Sequence, residues 1–167
     1  MAITIDATAG GASANSYVTL ADAETYYESR LHSDDWDDAE DSVKNEALAM
    51  ATAILDSELL WVCSPTSTTQ ALRWPRTRVL TPEGIAVDTD TIPKFLEDAT
   101  AEFSLWLIKD DRLSEPDTQG FTQIKVGSIL ATINPRDRRG LIPPIVKTMV
   151  SFYGEFVASG IRTLERV

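Results

Sequence analysis

Cysteine and histidine are almost missing from these 167 residues: there is one of each, Cys63 and His32. A lone cysteine cannot close an internal disulfide, and the two together cannot assemble the common Cys/His zinc sets. Long apolar runs are also absent. No stretch approaches the ~20 apolar residues that cross a bilayer, and Met1 to Gly11 lacks the basic flank and apolar core of a signal peptide. Positive charge is scarce too, with 15 Lys and Arg against 26 Asp and Glu for a net charge of −11. Such a surface as a whole repels nucleic acid and anionic membranes. The chain reads as soluble, intracellular when made, and free of metal and cofactor.

What is present is the composition of a globular protein, 43% hydrophobic and 25% charged, enough for one compact domain with arms. The charge is unevenly spread. Asp22 to Glu46 holds ten acids and two bases, whereas Asn134 to Val167 holds six bases and three acids. This asymmetry points to two differently engaged surfaces, or to ordinary solvated helix faces and arms.

Three parts are expected: an N-terminal arm at 1–18, one helical-bundle domain at 19–159 containing a β-arm at about 115–135, and a C-terminal tail at 160–167. Ile3 and Ile5 alternate with Thr4 and Asp6 as in a short strand, followed by a flexible Gly10-Gly11. Thr19 reads as an N-cap with Asp22 completing a capping box, which predicts a helix over about 20–31. Ser33 to Asp38, carrying Trp36, reads as a connecting turn. A second helix is predicted from about Asp41 to Ser57, with Val43, Ala47, Met50, Ala51 and Ile54 on one stripe. Ser64 to Thr69 reads as a loop.

Pro93 suits the first turn of a third helix running to about Lys109. Its end is apolar nearly all round, as in a helix at the middle of a bundle. Between Phe121 and Ile133, Ile124 and Val126 alternate with polar neighbours before Ile129, which predicts a β-hairpin or extended arm. Arg136, Arg138 and Arg139 sit in a turn ending at Gly140. The last helix is predicted from near Pro143 to before Gly160, with Gly154 marking a kink or a close contact. The expected fold is all-α, a small bundle of about four helices with a β-hairpin and terminal arms.

No catalytic constellation emerges. His32 has Ser33, Asp34 and Asp35 beside it, but the members of a triad converge from separate segments. The acidic run from Asp34 to Asp41 lacks the central Gly and spaced terminal Glu of a calcium loop. Gly10-Gly11 has no Lys-Ser/Thr after it to cradle a phosphate. Cys63 reads as a half-buried, inert thiol, and no enzyme activity is expected. Two features could bind nucleic acid: Arg73, Trp74, Arg76 and Arg78 interleave an aromatic with three guanidinium groups, and the arginine turn at 136–139 adds a second basic stretch. The competing reading makes Trp74 an anchor that pins a long loop onto the bundle, with Arg73 and Arg76 paired to acids. The charge of −11 favours the anchor.

The motifs together resemble a family. Ala14-Asn15-Ser16-Tyr17-Val18-Thr19-Leu20-Ala21-Asp22-Ala23 is followed in order by Ala51-Thr52-Ala53-Ile54-Leu55-Asp56 and by Thr69-Gln70-Ala71-Leu72-Arg73-Trp74-Pro75-Arg76. Ile92-Pro93 and Lys125-Val126-Gly127-Ser128-Ile129 come next. The set, over about 14–153, is similar to tailed-phage proteins labelled DnaT-like single-stranded-DNA-binding proteins, which also resemble head–tail connector (adaptor, or head-completion) proteins.

The resemblance implies a virion protein without catalytic residues or cofactor, made in the host cytoplasm. Its copies would form a ring, twelve-fold on the portal protein, through which double-stranded DNA passes without contact with a membrane. A tail-side connector or tail-completion protein is the implied second partner. On that reading Ile161, Arg162, Leu164, Arg166 and Val167 would dock on the portal, and Ile124, Val126 and Ile129 would contact neighbouring subunits or the tail. The alternative is single-stranded-DNA binding through Arg73, Trp74, Arg76 and Arg78.

Overall fold

Thr19 caps the first helix as its spacing predicts: its Oγ1 accepts from the Asp22 amide at 3.1 Å and its hydroxyl donates to Asp22 Oδ2 at 2.6 Å. The computed structural model describes residues 3–114 and 140–157, and the backbone of paired strands at 123–126 and 129–132. In chain order the elements are α1 (Leu20–Glu28), α2 (Asp34–Asp37), α3 (Asp41–Glu58), β1 (Leu59–Trp61), β2 (Ser64–Pro65) and β3 (Arg76–Thr77). They continue with α4 (Lys94–Lys109), β4 (Gln123–Val126), β5 (Ile129–Thr132), α5 (Pro144–Val150) and β6 (Gly154–Phe156).

The fold is mixed α/β, which corrects the all-α expectation. Among the described residues five helices stand beside three two-stranded antiparallel ladders, β1–β6, β2–β3 and β4–β5. Two misread segments account for the difference. The last helix stops at Val150, and the chain turns into β6, which pairs Leu59 with Phe156 and Trp61 with Gly154. Gly154 is indeed a close contact, but in a strand: a Cβ there would lie 3.0 Å from Leu59 Cδ2 and 3.3 Å from the Leu60 carbonyl. The predicted loop at 64–69 begins with β2, whose Ser64 and Pro65 pair with Thr77 and Arg76.

Helix α4 is the axis of the core, as its all-round apolar end predicts. Leu96 and the run from Ala99 to Leu105 are buried, and α1, α2, α3 and α5 all pack on it. The buried hydroxyls of this run stay satisfied within the helix, Thr100 donating to the Leu96 carbonyl and Ser104 to that of Ala101. Apolar packing divides into two clusters. Ile54, Leu55, Leu59, Phe103 and Val146 belong to one; Val18, Tyr27, Trp36, Leu48 and Leu105 belong to the other.

The predicted turn at 33–38 is the short α2. It buries Trp36, whose ring stacks on Tyr27 with centroids 4.4 Å apart. On α3 the expected stripe holds at Ala47, Ala51 and Ile54, which are buried; Val43 is exposed instead, and the buried face widens to Lys44, Leu48, Thr52 and Leu55. Residues 3–18 carry no strand, and Tyr17 enters the core. The two strands expected between Phe121 and Ile133 are present and pair antiparallel, with Ile124 opposite Ala131 and Val126 opposite Ile129. Arg136, Arg138, Arg139 and the tail residues Ile161, Arg162, Leu164, Arg166 and Val167 lie outside the described residues.

Candidate nucleic-acid interface

The arginine–tryptophan segment turns inward. Trp74, only 1% exposed, is held edge-on by three rings, with centroids 5.8 Å from Trp61, 5.6 Å from Phe95 and 6.3 Å from Tyr153. No face of the indole is open for a base to stack on. Its Nε1 is buried without a hydrogen-bond acceptor. The anchor reading of Trp74 is therefore the one its packing matches.

Arg76 is also buried, and its partners are not acids. Nε donates to the Val62 carbonyl at 2.6 Å, Nη1 to that of Arg73 at 2.9 Å, and Nη2 to those of Trp61 at 3.3 Å and Cys63 at 2.5 Å. Three of these bonds close the end of β1 onto β3, and the one to Arg73 braces the turn before β3. Burial lowers the pKa of this guanidinium below its ordinary value. Arg73 and Arg78 differ: both are exposed, and neither makes a salt bridge with a described residue. Of the four candidate residues, only these two present a cation to solvent.

The residue that organises this region is Asp56, which local sequence spacing does not single out. Its Oδ1 accepts from the Tyr17 hydroxyl and from Trp61 Nε1 at 3.2 Å, and its Oδ2 accepts from the Arg73 amide at 3.0 Å. Burial raises the pKa of the carboxyl above its usual value, against the hydrogen bonds from Tyr17, Arg73 and Trp61. Further bonds join the same segments: the Tyr17 amide donates to Thr52 Oγ1 at 3.2 Å, and the Ala71 amide to the Gly11 carbonyl at 3.0 Å. The first three motifs in the chain thus meet at one carboxylate. Beside it lies a cleft of about 190 Å³ lined by Asp56, Ser57, Leu60, Trp61, Arg73 and Arg76 among others.

A second charged centre pins α1 to α4. Glu102, buried on α4, takes a bidentate pair from Arg30 at 2.6 and 2.7 Å, plus bonds from Tyr26 and Trp106 at 3.1 Å each. Burial would raise its pKa, but the bonds from Arg30, Trp106 and Tyr26 outweigh burial and lower it. Tyr26 is pushed up to about 12, mainly by burial and then by the Glu102 charge. Arg30 Nη1 also donates to the carbonyls of Leu31 and His32. His32 itself is exposed, in the left-handed region at φ 62°. Cys63, at the same φ, is exposed rather than half-buried. Among the described residues the acids of 34–41 form no cluster able to hold a metal ion.

A family model described as "Putative DnaT-like ssDNA binding protein" matches residues 1–159. The chain belongs to this family. The DnaT-like match takes in the Asp56 and Glu102 centres, the inward-turned segment and β6. No curated protein and no solved structure matches the chain. The family description speaks of single-stranded DNA, and of the four residues expected to contact it, Trp74 and Arg76 are structural while Arg73 and Arg78 are exposed.

Proposed function

We propose that this DnaT-like protein is a structural subunit of a tailed-phage particle: a head–tail connector whose copies form a ring beneath the portal and continue the DNA channel. The observation that carries the reading is the inward fold of the Arg–Trp segment. With Trp74 sealed and Arg76 bonded to backbone carbonyls, the Arg–Trp segment of this chain of net charge −11 offers no stacking platform. A channel wall needs that property, since DNA must slide past it without adhering.

The strand pair β4–β5 forms no ladder with another described strand, which suits an arm whose Ile124, Val126 and Ile129 reach a neighbour or the tail-side protein. The tail residues Ile161, Arg162, Leu164, Arg166 and Val167 are assigned to the portal. The subunit needs no cofactor and performs no catalytic step, and after synthesis in the host cytoplasm it resides at the head–tail junction. Electron microscopy of the protein mixed with its portal should show a stacked ring. A chain lacking residues 160–167 should stay folded and helical yet fail to co-sediment with portal rings; normal co-sedimentation would overturn the tail assignment.

The family description favours a second reading, single-stranded-DNA binding. Trp74 offers no stacking surface, so among the described candidates such binding would rest on the exposed Arg73 and Arg78. Oligonucleotide affinity measured across salt separates the two readings. Tight binding that falls steeply with salt and is lost in Arg73→Ala/Arg78→Ala supports DNA binding.

A further inference from the structure

The cleft beside Asp56 combines a cation with an exposed apolar side chain and has no occupant among the described residues. At about 190 Å³ it falls below the roughly 300–1,000 Å³ of ordinary small-molecule pockets and suits one or two side chains. Arg73 stands at it, exposed and without a salt bridge among the described residues, in a chain with 26 acids. Asp56, behind Arg73, already accepts three hydrogen bonds. Leu60 adds an apolar side chain that is 56% exposed.

The complementary feature is the corner between α1 and α2. Leu31 is 80% exposed, the most open large hydrophobic side chain among the described residues. Arg30 holds its carbonyl at 2.7 Å, so the side chain is presented by an anchored turn. The exposed carboxylates of Asp34 and Asp38 follow, without salt bridges among the described residues. Leucine plus carboxylate matches the exposed Leu60 side chain and the Arg73 guanidinium at this cleft.

The two features cannot meet within one molecule. The corner is tied to the C-terminal end of α4 by the Asp35–Lys109 pair at 3.1 Å. The cleft segment is tied to the other end by Trp74 against Phe95. From Phe95 to Lys109 the helix rises by about 20 Å. We infer that the Leu31–Asp38 corner of one copy docks into the Arg73–Leu60 cleft of a second copy. Such a contact is head-to-tail, the kind that propagates and closes into rings. This deepens the ring reading above and rests on it for its biological meaning.

Disulfide trapping tests the contact on the full chain. In a Cys63→Ser background, Leu31→Cys and Ser57→Cys are placed at exposed positions, singly and together, with unchanged circular dichroism required of each. Under mild oxidation the double variant should give a ladder of dimers, trimers and higher species. A mixture of the two single variants should stop at dimers. Adding Arg73→Glu to the double variant should cut the ladder yield several-fold, and adding Asp34→Arg as well should recover it.

A double variant that remains monomeric overturns the proposal, as does a single variant that dimerises with itself equally well. The outcome is separable from that of the connector reading. Rings on the portal without trapping would leave the connector intact and remove this interface; trapping without portal rings would do the reverse.

Discussion

The hydroxyl of Tyr17 donates to the carboxylate of Asp56 across 39 positions of sequence, joining the N-terminal segment to the last turn of α3. The same carboxylate takes the Trp61 indole and the Arg73 amide, so three separate stretches share one acceptor group. Tyr17→Phe removes a single donor while keeping the buried ring. A loss of about 1.5–3 kcal/mol is expected for a hydrogen bond to a charged group, read as a lower urea midpoint. Asp56→Ala should cost more, because it leaves the Trp61 and Arg73 donors without their acceptor.

Trp74 separates packing from binding. Trp74→Ala should destabilise the fold by about 3–5 kcal/mol, as expected for a fully buried aromatic, measured by chemical denaturation. Arg73→Ala and Arg78→Ala, at exposed positions, should leave the midpoint within about 0.5 kcal/mol of the parent. If Trp74→Ala were as stable as the parent, the anchor role would be wrong.

Glu102 predicts a pH dependence with a definite sign. Its folded pKa lies below the ordinary value, so its stabilising effect is complete above the unfolded pKa of about 4.3. That effect is lost as the pH falls through the folded value. Asp56 works in the opposite direction: its folded pKa is raised, so its ionisation costs stability as the pH climbs through that range. Glu102→Gln should therefore flatten the acid side of the stability curve relative to the parent, while Asp56→Asn should steepen it. Equal slopes for parent and Glu102→Gln would contradict the Arg30–Glu102 assignment.

Gly154 tests the β1–β6 ladder. A methyl group there meets Leu59 Cδ2 at 3.0 Å, and the Leu60 carbonyl and Trp61 Cε3 at 3.3 Å. Gly154→Ala should cost about 1 kcal/mol or more, and Gly154→Val more still, within the 1–3 kcal/mol typical of overpacking. Thermal midpoints of the two variants, ranked against the parent, provide the check.

Local chemistry made much of the architecture readable. Thr19 and Asp22 announced α1, Pro93 announced α4, and the 2-residue alternation around Ile124 announced the β4–β5 pair. The crowding at Gly154 was legible too, though its strand was not: Tyr153, Phe156 and Val157 fit a helical stripe, and only pairing with Leu59–Trp61 overrides it. Trp36 drew its turn into a helix because burying the indole against Tyr27 favours a compact conformation there.

The site was harder to read for a physical reason. Asp56 looks like any acid at the end of an amphipathic helix, and its donors come from positions 17, 61 and 73. Arg76 was misjudged because a chain with so many carboxylates suggested an ion pair, whereas the guanidinium found backbone carbonyls. Convergence of distant segments leaves no periodicity to detect.

The hold of Arg76 on β1 reaches beyond the stability of one molecule. Short ladders with bare carbonyls invite foreign strands to join them, a hazard for any protein that accumulates at high concentration before assembly. Here a guanidinium occupies those oxygens, and an intruding strand would have to evict a cation from a nearly sealed position. Misassembly by strand exchange at that margin is thereby discouraged before any correct partner arrives.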